Sequence, residues 1–127
     1  MPGTYLFEYA VIRFVPKVER EEFVNQGVIL YCRDKRFLQI LYTLDEKKLL
    51  AFSGCPDTHQ LQSYLFAFEQ VCIGKEAGGP IGKLDIATRF RWLTSTRSTI
   101  VQTSKVHPGL CADPFETLVS LHSKLVL

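Results

Sequence analysis

The chain has 127 residues, 46% of them hydrophobic and 22% charged, and a formal net charge of +2 at pH 7. These proportions exclude a chain that is disordered along its length, and the small net charge gives no support of its own for a nucleic-acid-binding protein. We expect a single α+β domain over residues 1–127, long enough to bury a core without disulfide bonds or metal ions.

The strands are predicted from four short stretches. Residues 5–15 are almost wholly apolar or aromatic, which predicts a central strand covered on both faces and ended by Pro16. Residues 25–27 are typical of the turn into the next strand. Residues 27–32 and 37–42 are β-prone and joined by a polar loop at 33–36, which predicts a hairpin. Residues 99–103 predict a fourth strand.

The helices are predicted from their caps. Asp45 starts a short helix that ends near Phe52, and Asp57 caps a longer one that Gly74 ends. The longer helix carries an apolar stripe: Leu61, Tyr64, Leu65, Phe68 and Cys72. Asp113, followed by Pro114, begins a final helix whose predicted buried side consists of Phe115, Leu118, Val119, His122, Leu125 and Val126.

These elements predict an α+β fold, with a mainly antiparallel sheet of three to five strands and two principal helices packed against it. The four cysteines include no C-x-x-C pair, and we interpret them as reduced thiols. The sequence contains no signal peptide and no apolar run near the roughly 18 residues that span a bilayer. We therefore expect a cytoplasmic protein that needs no membrane, metal or cofactor.

The arginine segment, residues 89–102, is the part of the chain that is most typical of a contact surface. It holds three arginines, the only tryptophan and several hydroxyl side chains, and no acidic residue occurs in residues 86–112. Guanidinium and hydroxyl donors suit phosphate or carboxylate oxygens, and an indole can stack on a base. If the segment is a strand, Arg89 and Arg91 share the wetter face and Trp92 is buried. The alternative is an ordinary amphipathic element whose arginine stems cover apolar surface.

Catalytic motifs are weak. The glycine-rich loop at residues 75–83 lacks both the spacing and the Ser or Thr of a phosphate-binding P-loop. His107 lies four positions before Cys111 and could be half of a Cys-His or metal site, but no other cysteine has a spacing that supports one. A turn histidine satisfied by backbone groups is the better interpretation. Nothing in the sequence requires an enzyme.

Two blocks of the sequence resemble a bacterial family called domain of unknown function 3037. The first is YAVIRFVP (residues 9–16) with REEFVNQGV (20–28), and the second is RFRWL (89–93) with RSTIVQ (97–102) and VHPGL (106–110). The family usually has a small aliphatic residue in place of Gln26, so we expect different packing before Gly27. Its genes are often found beside kinases similar to the HipA toxin kinase, and the resemblance therefore implies a protein partner.

Our leading prediction is a non-enzymatic accessory protein that binds a partner, with a HipA-like kinase as the candidate that the resemblance supplies. The alternative is binding of nucleic acid or a nucleotide through residues 89–99, with Trp92 stacked on a base. An enzyme that uses His107 with Ser98 or Cys111 ranks third. The predicted contact residues are Arg89, Arg91, Trp92, Arg97, Ser98, Thr99 and His107, with Arg13 and Asn25 as neighbours.

Overall fold

Five strands form one open antiparallel sheet in the computed structural model, which describes residues 3–15, 24–44, 47, 58–74, 78–95 and 101–127. The strands are β1 (Tyr5–Phe14), β2 (Val24–Cys32), β3 (Phe37–Tyr42), β4 (Val101–Thr103) and β5 (His107–Cys111). The described helices are α1 (Thr58–Ile73), α2 (Gly79–Gly82), α3 (Ile86–Leu93) and α4 (Pro114–Leu125). The predicted α+β class and antiparallel sheet are confirmed, and two more helices than the two principal ones pack against the sheet.

Strand β1 is the centre of the sheet, as its apolar sequence predicts. The strand order is β3-β2-β1-β4, and β5 also pairs with β1. Strand β4 pairs with the end of β1 at Ile12–Phe14, whereas β5 pairs with its beginning at Tyr5–Tyr9. The predicted hairpin of β2 and β3 is confirmed, with its turn at residues 33–36.

The sheet buries both faces against helices, but unequally. The face that carries Ala10, Ile12 and Phe14 packs against α1, α2 and α3, and we call it the three-helix face. The opposite face, with Phe7 and Val28, packs against α4 and is the single-helix face. Successive residues of a strand alternate between the two faces, so a central strand must be apolar at almost every position.

A β-bulge replaces the turn that we predicted at residues 25–27. Strand β2 already begins at Val24, and its register with β1 shifts between the pairs Ile12–Gly27 and Arg13–Asn25. Gln26 is the extra residue and is fully buried. Its carbonyl oxygen accepts a hydrogen bond from Thr43 N at 2.8 Å. A bulge adds one unpaired residue to a strand, which accommodates a polar side chain where a turn was expected.

Helix α4 begins where its sequence predicts. Asp113 caps it by accepting hydrogen bonds from Phe115 N at 2.9 Å and Glu116 N at 3.2 Å. Leu118 is fully buried, but Phe115 and Val119, which we predicted to be buried, are exposed. The reason is that α4 lies over β2 and β3, so that this part of its apolar stripe extends past the contact.

Strand β5 was not predicted as a strand, because its His-Pro-Gly sequence is typical of a turn. Pro108 lies opposite Glu8, and Gly109 lies opposite Phe7. A Cβ atom at position 109 would lie 2.5 Å from Phe7 Cζ, so glycine is needed for the Phe7 ring to lie across the strand. The fourth predicted strand is confirmed as the shorter β4, and its predicted start at Thr99 lies outside the described residues.

The longer predicted helix is confirmed as α1, although Tyr64 of its predicted stripe is exposed. The short helix predicted at residues 45–52 lies outside the described part of the chain except for Lys47, which is helical. None of the described helices is long and apolar enough to cross a membrane. The three described cysteines, Cys32, Cys72 and Cys111, are free and buried.

Candidate functional site

The first half of the arginine segment is a helix, not the strand that we considered. Phe90 and Leu93, three residues apart on α3, are fully buried. The Phe90 ring stacks on Tyr31 of β2 at 5.2 Å between centroids. Trp92 is exposed, so the burial that we expected for it in a strand does not occur in this helix. The Arg-Phe-Arg-Trp sequence is too short to distinguish the two-residue period of a strand from the roughly 3.6-residue period of a helix. The burial of Phe90 together with Leu93, three residues later, is the pattern of a helix.

Arg89 is used inside the fold. Its Nη1 donates to the carbonyl oxygens of Val71 at 2.9 Å and Cys72 at 2.8 Å, and its Nε donates to that of Leu84 at 3.0 Å. The last carbonyl groups of a helix have no partner within it, so Arg89 supplies donors at the end of α1. Gly74 ends that helix with φ +77°, and a Cβ atom there would overlap the guanidinium. Arg89 therefore has a structural role at the junction of α1 and α3.

The hydroxyl groups next to Arg91 also bond within the fold. Thr94 Oγ1 donates to Phe90 O at 2.8 Å, and Ser95 Oγ donates to Trp92 O at 2.7 Å. Each hydroxyl is a second donor to a carbonyl group in the last turn of α3 that also accepts a backbone N–H. The other predicted contact residues of this segment, Arg97, Ser98 and Thr99, lie outside the described residues.

Arg91 is the arginine of α3 that faces outward, with 57% of its side chain exposed. Its Nη2 lies 2.8 Å from Glu8 Oε2 and donates a hydrogen bond to Oε1 at 3.0 Å. The guanidinium also lies 5.4 Å from the centroid of the Phe90 ring. Glu8 is only 25% exposed, but water competes for the exposed guanidinium of Arg91, so we expect the ion pair to add little to stability. Arg91 therefore remains accessible for contact with another molecule.

Arg91 opens onto a groove of about 840 Å³, which we call the charged groove. The groove is formed where the beginning of β1, the β2–β3 turn and the first turn of α3 meet. Its described lining consists of Leu6, Glu8, Tyr31, Arg33, Asp34, Arg36, Asp85, Ile86, Ala87 and Arg91. Three arginines and three carboxylates thus share one concave surface, and their formal charges cancel.

An exposed apolar pair borders the charged groove. Leu6 of β1 lies directly opposite Leu110 of β5, so both side chains stand on the same face of the sheet. Leu6 is 57% exposed and Leu110 is 72% exposed. This pair therefore forms a small exposed apolar surface next to the charged groove.

The structure separates the remaining predicted residues from Arg91. Arg13 pairs with Asn25 across β1 and β2, about 16 Å along the strand from Glu8. Asn25 Nδ2 donates to Leu125 O of α4 at 2.9 Å, so this pair belongs to the single-helix face. Burial lowers the pKa of Arg13 below its ordinary value. Arg13 and Asn25 are thus neighbours of each other and not of the charged groove.

His107 is in strand β5, and the turn in which we expected it is absent. It is exposed, and its ring lies 5.3 Å from that of Tyr9. Cys111 is four residues further along the same strand, about 13 Å away, so the two cannot form a dyad. Burial raises the pKa of the Cys111 thiol. Within the described ranges, no three His, Cys, Asp or Glu side chains are grouped as a metal site would require.

Sequence reasoning missed Glu8, Arg33, Arg36 and Asp85. The sequence does contain a signal for two of them, because residues 33–36 put two arginines in a tight turn whose four residues are all exposed. Arg36 even adopts the left-handed conformation, with φ 49°. We interpreted this run only as a hairpin loop. Its proximity to α3 depends on tertiary packing that the local pattern does not reveal.

Comparison with known proteins adds a family to this geometry. The sequence model described as "Protein of unknown function (DUF3037)" matches residues 9–126, which is nearly the whole chain. The chain belongs to the DUF3037 family. No curated protein and no solved structure matches it. Since the DUF3037 description assigns no activity, the charged groove has to carry the functional argument.

Proposed function

We propose that this DUF3037 protein binds a partner protein through the charged groove and the apolar pair at its border. The observation that carries the proposal is a concave surface with three arginines and three carboxylates, bordered by two exposed leucines that lie opposite each other on β1 and β5. Protein interfaces combine apolar contacts with polar and charged ones, and arginine is enriched in them. The charged side chains would fix orientation, and the leucines would supply the apolar contact.

The charge balance favours a protein over nucleic acid. A phosphate backbone requires an excess of cations, because each contact depends on neutralising a phosphate. In the charged groove, Glu8, Asp34 and Asp85 offset the three arginines, and Arg91 already has a carboxylate at 2.8 Å. A partner surface with both acidic and basic side chains can pair with both signs without leaving a charge unopposed.

The partner that we propose to test first is a HipA-like kinase, because genes of the resembling family are often found beside such kinases. The protein would act as a non-enzymatic accessory subunit in the cytoplasm. Binding would be measured by isothermal titration calorimetry with the purified kinase, using the wild-type chain and the double variant Arg33→Glu/Arg36→Glu. Both arginines lie in an exposed turn, so the substitution leaves the core intact.

We expect the double variant to weaken binding by at least about tenfold, since opposed charges become like charges at the interface. The matched control is Lys105→Glu/Lys124→Glu, which makes the same change in net charge at exposed positions away from the groove and should alter the affinity by less than about twofold. Equal losses in both variants would show a general charge effect and would contradict the groove.

A second probe separates this proposal from nucleic-acid binding. A short single-stranded oligonucleotide should bind weakly, and Arg91→Ala should not change that binding. If the oligonucleotide instead binds tightly, with an affinity that falls steeply with salt and depends on Arg91, the protein-partner proposal is wrong and the anion-binding alternative takes its place.

A further inference from the structure

The hydrogen bonds of β3 define which of its backbone groups face away from β2, toward the outer edge of the sheet, where Leu38 and Tyr42 are half-buried and Ile40 is buried. Thr43 N donates to Gln26 O at 2.8 Å, which makes Thr43 and Gln26 a hydrogen-bonded pair in the β2–β3 ladder. Hydrogen-bonded and non-hydrogen-bonded pairs alternate in an antiparallel ladder. The backbone groups of Phe37, Gln39 and Leu41 therefore point toward β2. Those of the other three residues, Leu38, Ile40 and Tyr42, point outward.

The sequence of β3 itself provides none of the usual protection of an edge strand. Natural sheets blunt their edges with charged side chains, proline or bulges, because unpaired backbone groups attract other strands. Strand β5, at the opposite side of the sheet, contains Pro108. Strand β3 has the sequence FLQILY, with no charge and no proline, and it is paired in register with β2 along all six residues. Among the described strands, none pairs with its outer side.

A cleft of about 290 Å³ follows the same edge. Its described lining comes from β3 and from α1: Leu38, Gln39, Ile40, Glu69, Cys72 and Ile73. Phe66, Glu69 and Ile73 are at i, i+3 and i+7, so they form one stripe on α1. Phe66 is 55% exposed and Ile73 is 52% exposed. An added strand would therefore meet both free backbone groups on β3 and apolar side chains on α1.

Glu69 makes the cleft between β3 and α1 negatively charged. It is the only charged residue in the described lining of the cleft, and no described cation forms an ion pair with it. Its charge adds to the effect of burial in raising the pKa of Tyr42. Burial raises the pKa of Cys72 to about 12, so the thiol stays protonated and is not a nucleophile. The cleft therefore suits a basic side chain.

The spacing of the stripe matches that of a strand. Four helical residues, from Glu69 to Ile73, rise about 6 Å, and two residues of an extended chain span about 6.6 Å. Side chains two positions apart on an added strand point to the same face and would lie against these two residues. The fitting sequence is an apolar residue, any residue, and then lysine or arginine, in either direction along the strand.

We propose that the outer edge of β3 and the adjoining α1 cleft bind an extended segment of a partner protein, which adds a sixth strand to the sheet. An apolar side chain of the segment packs against Ile73, and a basic side chain two positions away pairs with Glu69. Main-chain hydrogen bonds to Leu38, Ile40 and Tyr42 hold the segment in place. This surface is separate from the charged groove, and the inference does not rest on the function proposed above.

The test uses a fluorescein-labelled peptide of alternating threonine and valine in which one isoleucine and one arginine stand two positions apart. Fluorescence anisotropy would measure its binding to the wild-type protein and to Glu69→Lys, with Glu116→Lys as the control for the same charge change on α4. We expect Glu69→Lys to weaken binding about five- to tenfold and Glu116→Lys to have almost no effect. A peptide with glutamate in place of arginine should bind Glu69→Lys better than wild type.

Amide hydrogen exchange provides the second readout. The peptide should slow exchange at Leu38, Ile40 and Tyr42 and leave Gln39 and Leu41 unchanged, because only the outward amides gain partners. The proposal is overturned if the peptide does not bind, or if the glutamate peptide fails to recover on Glu69→Lys. It is also overturned if the outward amides are already protected in the free protein, either by its own chain or by a second copy. Arg33→Glu/Arg36→Glu should leave this binding unchanged.

Discussion

The two faces of the sheet differ in how much of their surface helices cover. On the three-helix face, α1 and α3 bury a continuous cluster that includes Phe68, Phe90 and Leu93. On the single-helix face, α4 contacts β2 and β3. On β1 and β5 of the same sheet, the exposed His107 lies beside Tyr9. Both candidate surfaces lie at the margins of the three-helix face, where α3 begins and where α1 meets β3. The core supplies stability, and both proposed contact surfaces lie at its margins.

The variants with the largest expected loss of stability each remove one buried side chain, one from each face of the sheet. Phe90→Ala should lower the free energy of unfolding by about 4 kcal/mol, because it empties a fully buried site and removes the stack on Tyr31. Leu118→Ala, on the single-helix face, should cost about 3 kcal/mol. Urea unfolding monitored by circular dichroism would measure both. A smaller loss for Phe90 than for Leu118 would contradict the inequality of the faces.

The next test concerns the junction of α1 and α3. Arg89→Met keeps most of the apolar stem but removes the donors to Val71, Cys72 and Leu84, so we expect a loss of about 2 kcal/mol. Arg91→Met is the matched control and should cost less than about 0.5 kcal/mol, because Arg91 is mostly exposed. Similar losses for the two variants would mean that Arg89 is not a structural residue.

A smaller effect is expected on the single-helix face as pH falls. His122 Nε2 lies 3.0 Å from Thr43 Oγ1, and burial lowers the pKa of His122 below its ordinary value of 6.5. Below that value the unfolded chain takes up a proton before the native chain does, so stability is lost as pH falls through 6.5 toward the native pKa. Above it, both states are neutral and His122 contributes no pH dependence.

The measurement is the midpoint of urea unfolding between pH 5 and pH 8 for the wild type and for His122→Gln. The amide of glutamine can still bond to Thr43, but it does not titrate. The difference between the two curves should therefore be constant above about pH 7 and shift in favour of the variant at lower pH. A wild-type protein that gains stability relative to the variant on acidification would show that the pKa shift has the opposite sign.

The smallest effect is the coupling between Glu8 and Arg91. A double-mutant cycle with Glu8→Gln and Arg91→Met should give about 0.5 kcal/mol or less at low ionic strength, and the value should fall as salt is added. The reason is that Arg91 is solvent-exposed, so water and ions screen the pair. A coupling energy several times larger would show that this ion pair contributes substantially to the stability of the fold.

Elements with strong local signals were predictable. The turn at residues 33–36 separates two β-prone runs, and Asp113 with Pro114 marks the start of α4. Strand β5 was missed because proline and glycine usually indicate a turn. Only the pairing with β1 shows why they fit here: Pro108 lies opposite Glu8, where it does not have to donate a hydrogen bond to β1, and Gly109 leaves room for the Phe7 ring. Helix α3 was ambiguous because alternation over four residues fits either period.

The candidate site was less predictable than the fold. Arg91 was identified from the concentration of arginines, but the same reasoning selected Arg89, whose donors are used inside the fold. Glu8 is separated from Arg91 by most of the chain, and nothing in the local sequence pairs them. Charge density along a sequence identifies where arginines occur, whereas the packing of α3 on the sheet decides which of them is available.

The contact between Phe7 and Gly109 couples the side-chain sizes that two positions far apart in the sequence can accept. The ring occupies the space that any side chain at position 109 would need, so alanine there displaces the ring unless Phe7 also becomes smaller. Among related chains, the residues at these two positions should vary together: an aromatic residue with glycine, or a compact residue with a larger partner. This correlation would identify the β1–β5 pairing from sequences alone, although neither residue by itself indicates a strand.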